Sequence, residues 1–363
     1  MKTYPDSLVQ TLQQDQHFLD VDGIRIRVKA IPDDPTPGVL DRRDLACMQA
    51  DHSADVPPDA TGIQAVRDSM GFPARNLNTV EIHTKFESLT FGENTVGLWR
   101  YYPRKPERKQ GRPAFIYIHG GGWVGGNTYV VENQCKLLAE LADAVVFNID
   151  YPLAPEAPYP QGFDACFDTI NHIWAHAAAY GIDPNRIGIG GDSAGGNLSA
   201  ACALKDRDLG HHHIRFQLLI YPLTTFVEDK TPGYVWKAED YEIAPEQVDL
   251  LTPCITFGHE TTEAHSDVFS CYFGDHPERA YEPYASPLLA QDFSNLPPAL
   301  IVNAEYDGLR TQGEAYGRAM QRAGVQVEWI RYRGVTHSFF DKLGVCPQTE
   351  DLLLELAQRV AAL

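Results

Sequence analysis

Residues 191–195 (GDSAG) constrain this 363-residue chain more than any other segment. They match the pattern G-x-S-x-G, in which a serine occupies a sharp turn between a strand and a helix. The flanking residues agree, since 186–190 are predicted to form a short strand and 194–204 an Ala- and Leu-rich helix. Glycine flanks the serine because a side chain would collide with neighbouring elements. The pattern predicts that Ser193 stands exposed in a strained backbone conformation.

A second glycine-rich motif, HGGGW at residues 119–123, precedes the serine motif in the chain. It follows an apolar run at 114–118 whose β-branched and aromatic residues predict a buried strand. Ligand sites of open α/β sheets lie at the carboxyl ends of strands, so both motifs should share one sheet edge. An H-G-G-G loop can offer backbone N–H groups to an oxyanion. Together the motifs predict a serine acyl hydrolase.

A nucleophilic serine needs a base, and the base needs an acid that orients it. Beside this serine motif the expected order along the chain is Ser, then Asp or Glu, then His. Asp307 follows a predicted strand at 298–303, and His337 follows another at 325–332. His337 is the only histidine after His276. We therefore expect both side chains to meet the serine at the same edge of the sheet.

Structural roles compete with these interpretations. Asp307 could cap a helix that is predicted to begin near Leu309, and Glu305 is a competing acid. A histidine in a loop is more often solvated than catalytic. The order along the chain nevertheless favours the catalytic roles of Asp307 and His337.

Several stretches resemble the hormone-sensitive-lipase-like group of α/β-hydrolases, which includes many bacterial esterases. They are HGGGW (119–123), DYPLAPE (150–156), GDSAGGN (191–197), SPLL (286–289), LPPALI (296–301), DGLR (307–310) and HSF (337–339). The resemblance covers most of the chain from about residue 80 onward. Three positions depart from the pattern of the group, since Gly308 and Ser338 stand where it has Pro and Gly, and Pro152 stands where it has Arg.

The resemblance implies an α/β-hydrolase fold, in which helices flank a mostly parallel eight-stranded sheet and a mainly helical cap covers the site. It implies that Ser193 is the nucleophile, His337 the general base and acid, and Asp307 the residue that orients His337. No metal or organic cofactor is implied. The oxyanion hole would consist of the backbone N–H groups of Gly121, Gly122 and Ala194.

The chain is predicted to divide into an N-terminal cap segment, 1–79, and a catalytic domain, 80–363. A second cap segment is expected at 224–283. Most aromatic residues of that segment should pack the cap on the core, while some line a pocket that suits small apolar acyl or aryl esters. The aromatic residues of this segment to which the expectation applies are Tyr234, Trp236, Tyr241, Phe257, Phe269, Tyr272 and Phe273.

The composition of the chain disfavours several classes of binding partner. The net charge of −19, from 49 acidic and 30 basic residues, argues against nucleic acid and stable association with anionic membranes. No segment approaches the ~18 apolar residues of a membrane span, and the first residues lack the apolar core of a signal peptide. Seven cysteines without a C-x-x-C pair predict reduced thiols and a cytoplasmic location. The run 211–213 (HHH) is interpreted as a solvated loop rather than a metal site.

These observations favour a carboxylesterase that acts on short-chain or aryl esters of small molecules. An amidase, lactonase or acyltransferase with the same three residues remains an alternative, because the shape of the pocket selects the acceptor. A non-catalytic small-molecule receptor is a weaker alternative, since His337 is present. The resemblance also admits a homodimer, although no sequence feature marks an interface.

Overall fold

The structure, a computed structural model, describes residues 1–15, 17–50, 62–105, 110–259 and 263–363. Its strands are β1 (His17–Val21), β2 (Ile24–Lys29), β3 (Ile82–Phe91), β4 (Asn94–Pro103), β5 (Arg112–Ile118), β6 (Val145–Asp150), β7 (Ile182–Asp192), β8 (Phe216–Ile220), β9 (Ala299–Tyr306) and β10 (Val327–Thr336).

The α-helices are α1 (Asp6–Gln14), α2 (Arg42–Gln49), α3 (Gly62–Asp68), α4 (Glu132–Ala142), α5 (Gln161–Ala175), α6 (Ala177–Tyr180), α7 (Ala194–Asp208), α8 (Val248–Thr256), α9 (Glu263–Phe273), α10 (Arg310–Arg322) and α11 (Pro347–Ala362). Short 3-10 helices cover Glu228–Lys230, Ala238–Asp240, Pro245–Gln247, Pro277–Tyr281, Pro287–Leu289 and Phe339–Asp341.

The strands form one mixed sheet in the order β1-β2-β10-β9-β8-β7-β5-β6-β4-β3. Every pairing from β2 across to β6 is parallel, whereas β1–β2, β6–β4 and β4–β3 are antiparallel. The central strands β5, β8 and β9 are buried along their whole length. Continuous burial of this kind requires helices on both faces of a parallel sheet, which explains the unbroken apolar runs in the sequence.

Two hydrophobic cores lie on opposite faces of the sheet, as β5 illustrates. Ile116 and Ile118 point toward the core that contains α5 and α7, while Phe115 and Tyr117 point toward the core that contains α4 and α11. The seven cysteines are free thiols, and Cys135, Cys166 and Cys202 are buried in α4, α5 and α7 as expected. Within the described ranges, no helix has both the length and the apolar character needed to cross a bilayer.

The sheet has ten strands, not the expected eight. The hairpin β1–β2 accounts for the difference, because β2 pairs with β10 and covers an edge that would otherwise be open. Asp22 and Gly23 both have positive φ, as a two-residue hairpin turn requires. This hairpin belongs to the segment 1–79, so part of the segment predicted to be a cap lies in the catalytic sheet.

Lys29, at the end of β2, attaches the hairpin to the C-terminal helix α11. The side chain is fully buried, and its ammonium group bonds Asp351 and, at 2.7 Å, Glu355. Burial alone would raise the pKa of Glu355, but the charges of Lys29 and Arg27 outweigh it and lower the pKa to about 2. A buried ion pair of this kind becomes strongly unfavourable when one partner is removed.

Replacing the buried cation should therefore destabilise the whole domain. In Lys29→Met, Asp351 and Glu355 lose their shared partner, and we expect the free energy of unfolding to fall by about 3–5 kcal/mol. Urea denaturation followed by circular dichroism measures the change. Lys85→Met, at an exposed position of β3, is the control and should change stability by less than about 0.5 kcal/mol. Equal effects of the two substitutions would contradict the role assigned to Lys29.

Candidate active site

Ser193 occupies the turn between β7, which ends at Asp192, and α7, which begins at Ala194. Its φ of 53° and ψ of −119° place it in a strained conformation, as predicted, although the residue is only 9% exposed and not freely exposed as expected. The amide of Ser193 donates to the carbonyl of Ile220 at 2.9 Å, and its carbonyl accepts from the amide of Asn197 at 3.0 Å. The turn is thereby attached to β8 and to the first turn of α7.

The backbone around this turn leaves no room for side chains at its glycines. A Cβ atom at Gly195 or at Gly191 would overlap with the carbonyl oxygen of Ile118, the last residue of β5. The predicted collisions are therefore real, and the nearest obstacle is the neighbouring parallel strand. Glycine at both positions allows the serine turn to approach the end of β5.

His337 and Asp307 follow the ends of β10 and β9, and the structure brings both to Ser193. The Nε2 atom of His337 lies 2.9 Å from Oγ of Ser193, and its Nδ1 atom lies 2.7 Å from Oδ2 of Asp307. Asp307 is fully buried, and its second oxygen accepts from the amide of Leu309 at 2.9 Å. The carboxylate is thus bonded to His337 and to the turn that precedes α10, whose N-cap residue is Leu309 and which has no side-chain cap bond, so Asp307 does not cap the helix.

Glu305, the competing acid, is engaged elsewhere. Its carboxylate accepts from the guanidinium of Arg333 at 3.0 Å and from the amide of Gly334 at 2.8 Å. These bonds connect β9 to β10 near the end of both strands. Of these two acids, Asp307 is the one that is hydrogen-bonded to His337.

The three residues of the predicted oxyanion hole lie next to Ser193 along the cavity wall or in the chain. Gly121 and Gly122 line the cavity next to Ser193 and have φ values of 118° and 60°. Ala194 opens α7, so its N–H group belongs to the first turn, where amides have no partner within the helix. Backbone of both motifs therefore lies beside Ser193, and the oxyanion hole of Gly121, Gly122 and Ala194 stays a prediction.

Asp192 connects the two motifs, a role that the sequence analysis missed. Its Oδ1 atom accepts from the amide of Gly120 at 3.0 Å and from the hydroxyl of Tyr117 at 2.7 Å. Burial raises the pKa of Asp192, while Tyr117 and His119 act in the opposite direction. The only signal in the sequence was its place beside the serine, because its partners lie more than seventy residues away on β5 and the following loop.

Ser193 and His337 open into a cavity of about 420 Å³ with largely apolar walls. The aromatic ring of Phe257 packs against His337, with 4.7 Å between ring centroids. Phe257 is the one member of the seven-residue aromatic group of 224–283 among the described residues lining the cavity. The apolar lining consists of Ile63, Val66, Met70, Trp123, Val124, Val130, Val131, Leu223, Phe257, Val268, Cys271 and Leu309.

The structure explains why glycine stands at position 308, where the resembled group has proline. Its amide donates to the carbonyl of Cys254 in α8 at 3.1 Å, and a Cβ atom would overlap with the carbonyl oxygen of Phe257. Proline cannot donate that bond, and its ring would need the space that the backbone of Phe257 occupies. The segment that carries Phe257 therefore rests directly on the loop that carries Asp307.

The histidine run lies at the far end of α7 from Ser193. His211 and His212 are exposed, as expected of a solvated loop, but His213 is largely buried and stacks on Trp174 with 4.0 Å between ring centroids. The carboxylate of Asp206 accepts from the amide of His213 at 3.2 Å. The expectation of a solvated loop is therefore wrong for His213.

Comparison with known proteins identifies the family. Residues 115–341, more than half of the chain, match a family model described as the alpha/beta hydrolase fold. The chain belongs to the α/β-hydrolase family. Among relatives of this α/β-hydrolase, Esterase LipI of Mycobacterium tuberculosis is 31% identical over 79% of this chain and 84% of its own length. Carboxylesterase NlhH of the same organism is 34% identical over 68% of this chain and 72% of its own.

Solved structures agree with this assignment. An esterase from Pyrobaculum calidifontis superposes on this α/β-hydrolase with a TM-score of 0.66 and 31% identity, covering 77% of this chain and 85% of its own. An arylesterase superposes with a TM-score of 0.73 and 25% identity, covering 89% of this chain and 99% of its own. The predicted fold, with its mostly parallel sheet, and the predicted membership of the hormone-sensitive-lipase-like group are confirmed.

Contact between α8 and the Asp307 loop gives a testable consequence in this α/β-hydrolase. Gly308→Pro removes the bond to Cys254 and collides with Phe257, so we expect the free energy of unfolding to fall by about 2–4 kcal/mol. Gly308→Ala keeps the amide N–H group but adds a Cβ atom that overlaps with Phe257. It should lower the free energy of unfolding by less than Gly308→Pro does. Thermal denaturation of both variants gives the order. A proline variant as stable as the wild-type protein would show that this contact does not support the Asp307 loop.

Proposed function

We propose that this α/β-hydrolase hydrolyses small carboxylic esters through an acyl-enzyme on Ser193. The observation that carries the proposal is the continuous hydrogen-bond chain from Asp307 through His337 to Ser193 at the wall of an apolar cavity. A nucleophile, a base and an orienting acid in this arrangement activate the hydroxyl for attack on a carbonyl carbon. Relatives named esterase, carboxylesterase and arylesterase support ester hydrolysis as the reaction.

In the first half of the reaction, Nε2 of His337 accepts the proton of Ser193 while Oγ attacks the ester carbonyl. Asp307 holds the tautomer in which Nδ1 carries a proton, and stabilises the imidazolium that forms. The carbonyl oxygen becomes negatively charged, and the amides of Gly121, Gly122 and Ala194 donate to it. Removal of one such donor in a comparable site costs about 3–4 kcal/mol of transition-state stabilisation.

In the second half, the imidazolium of His337 protonates the leaving alcohol as the C–O bond breaks. Water then takes the place of the alcohol, and His337 accepts its proton while the oxygen attacks the acyl-enzyme. The same three amides stabilise the second tetrahedral intermediate, and its collapse returns the proton to Ser193 and releases the acid. Side chains and backbone groups of this chain suffice for every step.

Size and polarity of the cavity support short-chain or aryl esters as substrates. A cavity of about 420 Å³ lies toward the small end of the ~300–1,000 Å³ that ligand pockets occupy. No lysine or arginine belongs to its lining within the described ranges, which disfavours substrates with a carboxylate. Small neutral esters therefore suit the site best.

Two segments enclose this cavity and support the predicted cap. Ile63, Val66, Met70 and Gly71 contribute one part of the wall. Phe257, Gly258, Asp267, Val268 and Cys271 contribute another. We assign the cap to the α3 region of the segment 1–79 together with 224–283, above the catalytic domain predicted at 80–363. The cytoplasmic location and the homodimer stay predictions from the sequence.

Hydrolysis of p-nitrophenyl esters from acetate to laurate tests the reaction and the size of the pocket together. We expect kcat/KM to peak at short acyl chains, because longer chains exceed the cavity, and Ser193→Ala to lose at least about 10³-fold of the rate. Matching circular dichroism spectra show that the variant is folded. A Ser193→Ala protein with wild-type turnover would refute the acyl-enzyme, and turnover of p-nitroanilides alone would indicate an amidase.

The two neighbouring acids provide a matched pair of variants. Asp307→Asn should lower kcat by about 10³–10⁴-fold, because an amide favours the wrong tautomer of His337; the serine-protease triad is the measured precedent. Glu305→Gln, two residues away, keeps its acceptor oxygen and should stay within about 10-fold of the wild-type kcat. Steady-state kinetics on p-nitrophenyl acetate compares them. A larger loss in Glu305→Gln than in Asp307→Asn would reverse the assignment.

A further inference from the structure

Asp341 is a carboxyl group of the cavity that the proposed reaction does not use. It ends the short helix Phe339–Asp341, which follows His337 closely in the chain. The residue is only 8% exposed, and it lines the same cavity as Ser193 and His337. Asp192, which precedes Ser193, lies close enough for the two carboxyl groups to influence each other.

Asp192 and Lys342, the charged groups that act on Asp341, are already bonded to other residues. Its own Oδ1 atom is buried without a hydrogen-bond partner among the described residues. The ammonium group of Lys342, the next residue, bonds Asp44. The carboxylate of Asp192 accepts from Tyr117 and Gly120. A buried polar atom without a partner destabilises the fold, and the residue that carries this one also lines the cavity, where a ligand could bond its carboxyl group.

The protonation state of Asp341 indicates which kind of ligand this carboxyl group would bind. Burial, reinforced by the charge of Asp192, raises the pKa of Asp341 well above its usual range, and the attraction of Lys342 does not offset this. A raised pKa favours the protonated form of the group, a neutral carboxylic acid with one O–H donor. In an apolar cavity such a donor binds an acceptor oxygen more strongly than it would in water.

We propose that Asp341 donates a hydrogen bond to a second oxygen of the substrate, so that the enzyme prefers esters that carry a neutral acceptor, such as an ether, keto or hydroxyl oxygen. The inference rests on the proposed ester hydrolysis at Ser193. A plain alkyl ester leaves the O–H group of Asp341 unpaired against a methylene group. Sites built to hydrogen-bond a substrate discriminate against analogues that lack the polar atom.

Isosteric ester pairs isolate this contact. Butyl acetate and 2-methoxyethyl acetate differ by one methylene replaced by oxygen on the alcohol side, and ethyl pentanoate and ethyl 3-methoxypropanoate differ in the same way on the acyl side. We expect kcat/KM to favour the oxygen-containing member of at least one pair by about 10-fold, mainly through KM. Release of acid at constant pH measures all four substrates without a chromophore.

Three variants distinguish a binding role from a structural one. Asp341→Asn retains an N–H donor and should keep most of the preference for the oxygen-containing ester. Asp341→Leu should bring the ratio of kcat/KM within each ester pair close to the ratio of the uncatalysed hydrolysis rates. Asp267→Leu removes an exposed carboxyl of the same cavity and should leave the ratio unchanged. Asp341→Leu should also raise Tm, because it removes an unpaired buried polar atom. Asp341→Ala replaces Asp341→Leu if the latter does not fold.

A preference that survives in both Asp341→Leu and Asp341→Ala would overturn the inference, as would a wild-type ratio close to that of the uncatalysed reaction. A lower Tm in Asp341→Leu with the ratio unchanged would show a purely structural role. If 2-(dimethylamino)ethyl acetate, a cation at neutral pH, were the preferred ester and lost its advantage in Asp341→Leu, Asp341 would act as a carboxylate and the assigned ligand would be wrong. Failure of the ester hydrolysis itself would appear separately, as no turnover of any ester by the wild-type protein.

Discussion

The bonds of one buried carboxylate, Asp192, determine how the two glycine-rich motifs meet. Asp192 ends β7, and its partners Tyr117 and Gly120 lie at the end of β5 and just beyond it. Because β5 and β7 are neighbours in the sheet, the carboxylate spans from one strand end to the next. The glycine loop is therefore held in place before any substrate arrives. Preorganised donors of this kind need no rearrangement when negative charge develops on a substrate oxygen.

Three aspartates around the cavity show how environment separates chemically identical groups. Asp307 has both oxygens bonded and faces His337, Asp192 is bonded to the glycine loop, and the Oδ1 atom of Asp341 has no partner in the part of the chain that the structure describes. Differences in burial and in hydrogen bonding are sufficient to give carboxyl groups distinct roles in one site. Gly308 adds a mechanical connection, since α8 rests on the Asp307 loop. Movement of the proposed cap would therefore be transmitted to the residue that orients His337.

Most of the sheet could be predicted from the sequence because central parallel strands are apolar along their whole length. Motif residues at the ends of such strands were predictable for a related reason, since parallel strands present their carboxyl ends at one edge. The hairpin β1–β2 was missed because its short alternating strands are weak signals and its partner, β10, lies some three hundred residues later. His213 was misjudged because Trp174, which covers it, is also distant in the chain.

By itself, the sequence determined the family, the strand-turn-helix around Ser193 and the order of the three residues proposed to carry the reaction. Each of these depends on local patterns, such as glycines where backbones approach closely and apolar runs that end in polar loops. Only the tertiary structure decided that Asp307 rather than Glu305 faces His337, that Asp192 joins the two motifs and that one oxygen of Asp341 finds no partner among the described residues. A carboxylate looks the same in any sequence, and its role follows from which donors the fold brings within hydrogen-bonding distance and how much water it removes.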